Sequence, residues 1–283
     1  MGRVRVVLTH SLAELHPRLE AFLAERVERN VQASLLVHAR AGRMEGREPL
    51  FAWSADEHDE LLFFAMRIPP WPLLVSELED EQAEALVERW LAEDPEVQAV
   101  TGVPATARAV ARAWQERTGG EVRPRMRQAM HLLREVIEPS PWPAGALRQA
   151  QDEDRALLVG WERVFVRDAG ITPDAAAEAE HTIARRLASR SQFIWQDGAP
   201  VSTLAVSPAI AGTVRIGPVY TPPQLRRRGY ASAAIATACR EALAGGAQQC
   251  MLYTDLANPT SNRIYAAVGF RRFADWEELE LVR

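Results

Sequence analysis

Residues 216–244 read IGPVYTPPQLRRRGYASAAIATACREALA, and this stretch decides how the second half of the chain folds. An apolar strand pattern ends at Tyr220, and two prolines directly after Thr221 prevent it from continuing. An alanine-rich helical run begins at Tyr230 and ends at a pair of glycines. The segment therefore predicts a strand, a short loop and a helix that starts at Tyr230.

The loop before this helix has the composition of an anion site. Amide groups at a helix N-terminus have no partner within the helix and carry partial positive charge, so such an end binds phosphate. Arg226, Arg227 and Arg228 stand directly before it, while Gly229 and Ala231 add little side-chain bulk. Neither a Walker A loop nor a G-x-G-x-x-G motif is present. We expect a pyrophosphate to bind here.

A second conspicuous segment lies about thirty residues downstream, where residues 258–270 read NPTSNRIYAAVGF. The pattern Arg226-x-x-Gly229-x-Ala231 resembles the [QR]-x-x-G-x-[GA] signature of the GNAT superfamily of acyl-CoA-dependent N-acyltransferases. Asn258, followed seven residues later by Tyr265 and then by a Gly-Phe pair, resembles that family's second signature. The resemblance covers residues 146–283.

The resemblance implies a transfer reaction with acetyl-CoA as cosubstrate and without a metal. The end of the strand is expected to splay from its neighbour and to pair with the pantetheine amides, as an added strand would. Tyr265 is expected to donate a proton to the departing thiolate, and so to act as the catalytic acid. The cofactor-binding residues that the resemblance implies are Val219, Tyr220, Thr221, Arg226, Arg227, Arg228, Gly229, Tyr230, Ala231, Ser232, Asn258 and Asn262.

The base that deprotonates the acceptor amine is not fixed by the sequence. Some family members carry a glutamate on the penultimate strand, five residues before the asparagine, and this chain has Tyr253 there. Asp255 shares a strand face with Tyr253. Glu162, Glu180 and His181 lie on helices that usually shape the acceptor pocket in this family. All four candidates stay open.

The predicted fold is α/β (α+β), with a mixed, mostly antiparallel sheet flanked by helices. Residues 139–145, PSPWPAG, break the pattern and suggest two such domains in tandem, 1–140 and 145–283. In the first half we expect a helix over residues 12–29, strands over 31–38 and 61–67, and a helix over 80–92. In the second half we expect helices over residues 153–167 and 173–189 before a strand meander.

The first half is expected to be a degenerate domain of the same kind, without a coenzyme A site. Its strand-to-helix junction, residues 76–81, reads SELEDE. Four carboxylates at a helix start suit the helix dipole but would repel a pyrophosphate, and no glycine is present.

Composition limits the other classes of function. The net charge of −5 argues against a nucleic-acid binder, and no apolar run reaches the roughly 20 residues of a membrane helix. Two cysteines cannot form a disulfide framework, so we expect a cytoplasmic protein. The leading hypothesis is an N-acetyltransferase acting on a primary amine in a ternary complex. The alternative is a sensor or scaffold that binds acyl-CoA without turnover; a homodimer is left open.

Overall fold

The computed structural model describes residues 4–42, 48–169 and 178–283, and the chain forms two compact units. Unit 1 comprises Met1–Met130, Asp255–Ala257 and Ala274–Arg283. Unit 2 comprises His131–Thr254 and Asn258–Phe273. The last ten residues, Ala274–Arg283, group with unit 1. The reason is a strand pairing within unit 1, described below.

The elements alternate along the chain. The helices are α1 (Leu19–Ala24), α2 (Asn30–Arg40), α3 (Asp80–Glu93), α4 (Pro104–Thr118), α5 (Arg155–Asp168), α6 (Ala179–Ala188), α7 (Tyr230–Ala244) and α8 (Pro259–Val268). The strands are β1 (Val7–Thr9), β2 (Leu50–Ala55), β3 (Leu61–Arg67), β4 (Leu73–Val75), β5 (Ala99–Gly102), β6 (Glu121–Leu133), β7 (Ala146–Gln149), β8 (Gln192–Asp197), β9 (Ala199–Val206), β10 (Thr213–Tyr220), β11 (Gln249–Asp255) and β12 (Arg271–Val282).

Unit 1 is built on a sheet in the order β1-β2-β3-β4-β5-β12. Neighbours are antiparallel except β4 and β5, which are parallel and joined through α3. Glu277 to Glu280 of β12 pair with Gly102 to Ala99 of β5, and this pairing places the chain's last strand in unit 1. Trp90 and Trp114, on α3 and α4, lie fully buried in its apolar core.

Unit 2 has a sheet that includes β7-β8-β9-β10-β11 in that order. The strands are antiparallel except β10 and β11, which are parallel and joined through α7. Both units thus contain an antiparallel meander that ends in a parallel pair with a helical crossover. The predicted fold class, a mixed and mostly antiparallel sheet flanked by helices, is confirmed.

Alternate residues of β8 pack on opposite faces of the unit 2 sheet. Trp195 belongs to the core formed with α7, where Ala233, Ala234 and Ile235 are fully buried. Ile194 belongs to a second cluster with Leu158 of α5 and Ile183 of α6. Because side chains alternate along a strand, the sheet separates α7 from the α5–α6 pair.

The structure corrects part of the N-terminal prediction. Residues 31–38 are helical in α2 and not extended, because Gln32, Leu36 and Ala39 are buried with helical spacing. The expected helix over residues 12–29 shrinks to α1 with short helical turns on both sides, since Pro17 restricts the backbone before it. In the second half, α6 begins at Ala179, and the expected helical residues 173–177 lie outside the described residues.

Candidate active site

The arginine-glycine loop lies between β10 and α7, as predicted. The helix begins at Tyr230 with Gly229 as its N-cap, so no side chain caps the first amides. The φ of Gly229 is +84°, in the left-handed region that favours glycine. A Cβ at this position would meet Pro143 at 3.6 Å, an ordinary contact. Backbone conformation, and not lack of space, therefore requires glycine at this helix start.

Three side-chain contacts hold the exposed arginine loop in place. Arg226 donates from Nε to the carbonyl of Thr221 at 3.0 Å, and its Nη2 lies 4.0 Å from Asp168 Oδ2. At the helix start, Tyr230 donates its hydroxyl to Asp197 at 2.6 Å, and this hydrogen bond raises the pKa of Tyr230. The positively charged loop is thus fixed at both ends next to the open helix N-terminus.

Strand β10 separates from β11 on its way to this loop. The parallel register runs from Thr213 with Gln249 to Arg215 with Met251, while β10 continues to Tyr220. On its other side β10 stays paired with β9 through Tyr220, after an irregularity beyond Ile216. The backbone of the last residues of β10 therefore faces the side from which β11 has separated. This is the splay that the family resemblance implies.

The second segment forms the start of α8. Asn258 is the N-cap, and its Oδ1 accepts the amide of Ser261 at 3.0 Å. Asn262 donates from Nδ2 to the carbonyl of Asn258 at 2.8 Å. The capping oxygen of Asn258 is therefore engaged within the helix start, and its Nδ2 is the group that remains to meet a ligand.

Tyr265 lies one turn further along α8 and packs edge-on against Phe270, with ring centroids 6.1 Å apart. Burial raises the pKa of the Tyr265 phenol to about 12, and a hydrogen bond with Ser261 opposes that rise. The phenol is therefore protonated at neutral pH. A proton donor must hold its proton until the leaving group takes it, so this state suits the acid role.

Among the candidate bases, Glu162 has the most enclosed position in unit 2. Its side chain is 12% exposed and accepts from Arg186 Nη1 at 2.9 Å. Glu180 and His181 are exposed on α6. Asp255 accepts the amide of Ala257 at 2.8 Å. Sequence reasoning left these four equal, because the pattern of a surface helix does not show which carboxylate its neighbours enclose.

The sequence comparison identifies the class of domain. Residues 146–270 match the model of the Acetyltransferase (GNAT) family. This stretch is therefore a GNAT acetyltransferase domain, which supports acyl transfer as its general chemistry. Among curated proteins, none has a sequence that matches this chain.

Solved structures share the fold over nearly the whole chain. A GNAT-family acetyltransferase from Colwellia psychrerythraea is 12% identical, with a TM-score of 0.62 and coverage of 99% of this chain and 100% of that chain. A GCN5-related N-acetyltransferase from Sphaerobacter thermophilus is 15% identical, with a TM-score of 0.63 and coverage of 98% and 96%. A tandem GNAT protein from the clavulanic acid biosynthesis pathway is 12% identical, with a TM-score of 0.62 and 98% coverage of both chains. These similarities show the fold, including its tandem form.

Two negative findings hold for the described part of the chain. Within residues 4–42, 48–169 and 178–283, no helix combines the length and apolar character needed to cross a membrane. In the same ranges, no cluster of three or more His, Cys, Asp or Glu side chains is arranged to hold a metal ion.

Proposed function

We propose that unit 2 transfers an acetyl group from acetyl-CoA to a primary amine by direct attack within a ternary complex. The observation that carries the proposal is the separation of β10 from β11 beside the open N-terminus of α7. The separated end of β10 suits the pantetheine amides, and the open N-terminus of α7 suits the pyrophosphate. Because both occur at the same strand end, the residues present fit coenzyme A.

The roles of individual residues follow from this fit. The backbone of Val219, Tyr220 and Thr221 would pair with pantetheine. Three side chains would contribute further contacts to the cofactor, those of Arg226, Asn258 and Asn262. The pyrophosphate would be held by the backbone amides of Arg227, Arg228, Gly229, Tyr230, Ala231 and Ser232. When bound, acetyl-CoA supplies an activated acyl carbon. The amine nitrogen bonds to that carbon, and the carbon–sulfur bond breaks. Tyr265 donates its proton to the sulfur, and the proton that the amine nitrogen releases then restores the Tyr265 hydroxyl.

The assay is release of free coenzyme A thiol from acetyl-CoA in the presence of a mixed panel of primary amines. Amine-dependent thiol release with a matching acetylated product supports the transferase. Tight acetyl-CoA binding without thiol release would instead favour the alternative, an acyl-CoA sensor or scaffold. Tyr253 at the position where some GNAT proteins carry a glutamate is the observation that keeps this alternative in the test.

We also propose that unit 1 is a GNAT-like domain without a coenzyme A site. Its parallel strands stay together at their ends, since a Cβ on Gly102 of β5 would stand 3.0 Å from the Val75 carbonyl oxygen of β4. At the junction with α3, Glu77 accepts from Arg29 at 3.0 Å and lies 3.3 Å from Arg26. An ion pair thus occupies the junction where unit 2 has its arginine-glycine loop. The two free thiols, Cys239 and Cys250, accord with the cytoplasmic location that we propose.

Charge reversal at Glu79 tests this assignment. Glu79 is the N-cap of α3, where its side chain accepts from the backbone amide of Gln82, and the Glu79 backbone amide donates to Gln82 Oε1 at 2.9 Å. We expect Glu79→Lys to cost about 1 kcal/mol of stability, because the cap is lost, and to leave acetyl-CoA affinity unchanged. Thermal melting and calorimetry measure the two effects. A changed affinity would mean that unit 1 takes part in cofactor binding.

A further inference from the structure

Residues 141–143 lie against the start of α7. A Cβ on Gly229 would stand 3.6 Å from the ring carbons of Pro143 and 3.8 Å from the carbonyl oxygen of Pro141. All three residues precede the match to the family model, which begins at residue 146. Trp142 therefore stands in the chain between two prolines that border the helix end where the pyrophosphate is proposed to bind.

The Trp142 ring is fixed by its neighbours and still reaches solvent. Trp195 packs against it in an edge-on arrangement, with ring centroids 5.9 Å apart and planes at 67°. Trp195 is itself held, because its Nε1 donates to the carbonyl of Ala144 at 2.9 Å. The guanidinium carbon of Arg240 lies 5.8 Å from the Trp142 ring centroid, and Arg240 forms an ion pair with Glu138. Trp142 nevertheless remains 42% exposed, so its indole is an aromatic surface whose orientation is set before a ligand binds.

The topology of unit 2 places this indole on one particular side of the proposed cofactor site. Coenzyme A carries the pantetheine arm at one end of its pyrophosphate and the adenosine at the other. The pantetheine arm is assigned to the gap between β10 and β11. Trp142 packs on Trp195 of β8, and β8 is separated from that gap by β9 and β10. An adenosine that leaves the pyrophosphate away from the gap therefore runs toward Trp142.

The chemistry of an indole suits this end of the cofactor. Exposed apolar side chains are common on protein surfaces, so exposure alone does not indicate a ligand. A fixed aromatic ring beside an anion site is more specific, because every nucleobase has a π-face that stacks on such a ring. Since the ring is already held, little side-chain freedom is lost when the base stacks on it.

We propose that Trp142 binds the adenine ring of coenzyme A by stacking, and that unit 2 therefore takes free acyl-CoA in preference to an acyl group on the phosphopantetheine arm of a carrier protein. The inference rests on the proposed cofactor site of unit 2. It adds a residue outside the two sequence motifs and names the class of acyl donor.

Calorimetry with two ligands tests the role of the adenine. Trp142→Ala should lower acetyl-CoA affinity about 10-fold, within the range for alanine substitution of base-stacking aromatic residues. S-acetyl-4′-phosphopantetheine keeps the pantetheine arm and one phosphate but lacks the adenosine, so its affinity should stay within about twofold. Trp142→Phe keeps an aromatic ring and should retain acetyl-CoA affinity to within about threefold.

Trp71→Ala is the matched control, because Trp71 is also partly exposed, at 36%, and belongs to unit 1. It should keep the wild-type affinity for both ligands. Unchanged acetyl-CoA affinity in Trp142→Ala overturns the inference and leaves the cofactor site standing. Equal losses for both ligands also overturn it, since Trp142 would then act through the shape of the pyrophosphate loop. Failure of the wild type to bind acetyl-CoA would instead overturn the proposed cofactor site itself.

Discussion

Gly229→Asp is expected to abolish measurable acetyl-CoA binding. The substitution places a carboxylate at the N-cap of α7, where the pyrophosphate is proposed to bind, and like charges about 4 Å apart repel by about 4 kcal/mol in a partly polar site. It also forces a residue with a Cβ into a backbone with φ of +84°, which costs about 1–2 kcal/mol. The repulsion alone corresponds to a loss of roughly 1,000-fold in affinity, because the strain is present in the free protein as well and lowers stability instead. Isothermal calorimetry with acetyl-CoA measures it.

Gly246→Asp separates charge at the site from strain in the helix. Gly246 follows the other end of α7, has φ of +98° and has open space around its Cβ position. The variant therefore carries comparable backbone strain and the same added charge away from the loop, and it should keep wild-type affinity. Gly229→Ala, which adds the strain alone, should likewise keep an affinity close to wild type. Unchanged affinity in Gly229→Asp would remove the pyrophosphate site from this loop.

Tyr265→Phe is expected to lower kcat by about 100-fold, at the lower end of the range for loss of a general acid. Burial raises the pKa of this phenol to about 12, so it is protonated at neutral pH and holds a proton ready for the sulfur. The substitution keeps the ring against Phe270 and removes only the hydroxyl. Acetyl-CoA affinity should therefore stay within about twofold, because the lost interaction acts in the transition state.

The pH profile distinguishes an acid from a merely structural tyrosine. In the folded protein the pKa of Tyr265 lies above the ordinary value of a phenol, about 10. The hydroxyl is therefore fully protonated below pH 10 and loses its proton only as pH rises toward 12. Wild-type kcat should show no loss from this group near pH 10, where an exposed phenol would titrate. Equal kcat for wild type and Tyr265→Phe, with normal acetyl-CoA affinity, would exclude the acid role.

The sequence predicted the fold best where local signals agree with tertiary packing. The bounds of α7 were predicted to the residue, because Gly229 before it and Gly245 after it coincide with the ends of an alanine-rich run. Helix α2 was missed because its apolar residues also suit a strand, and only the burial of Gln32 and Leu36 with helical spacing settles the matter. Strands β1 and β2 carried too weak an alternation to be recognised.

The candidate site was likewise predicted where its residues are continuous in sequence and missed where they are not. The loop and the start of α8 are continuous in sequence, so their motifs could be recognised directly. The enclosed position of Glu162 was not predicted, because Arg186, which donates to it, stands on a different helix.

Placement of the last ten residues in unit 1 has a consequence for biosynthesis. As the nascent chain leaves the ribosome, β5 (Ala99–Gly102) is completed well before its partner residues in β12, Glu277 to Glu280, are translated. At about 5–20 residues per second, the stretch from residue 131 to residue 273 takes on the order of ten seconds to synthesise. During that interval the N-terminal part carries an unpaired strand edge, the kind of surface that chaperones shield and that joins neighbouring chains into aggregates. Unit 1 can therefore complete its sheet only after unit 2 has been synthesised.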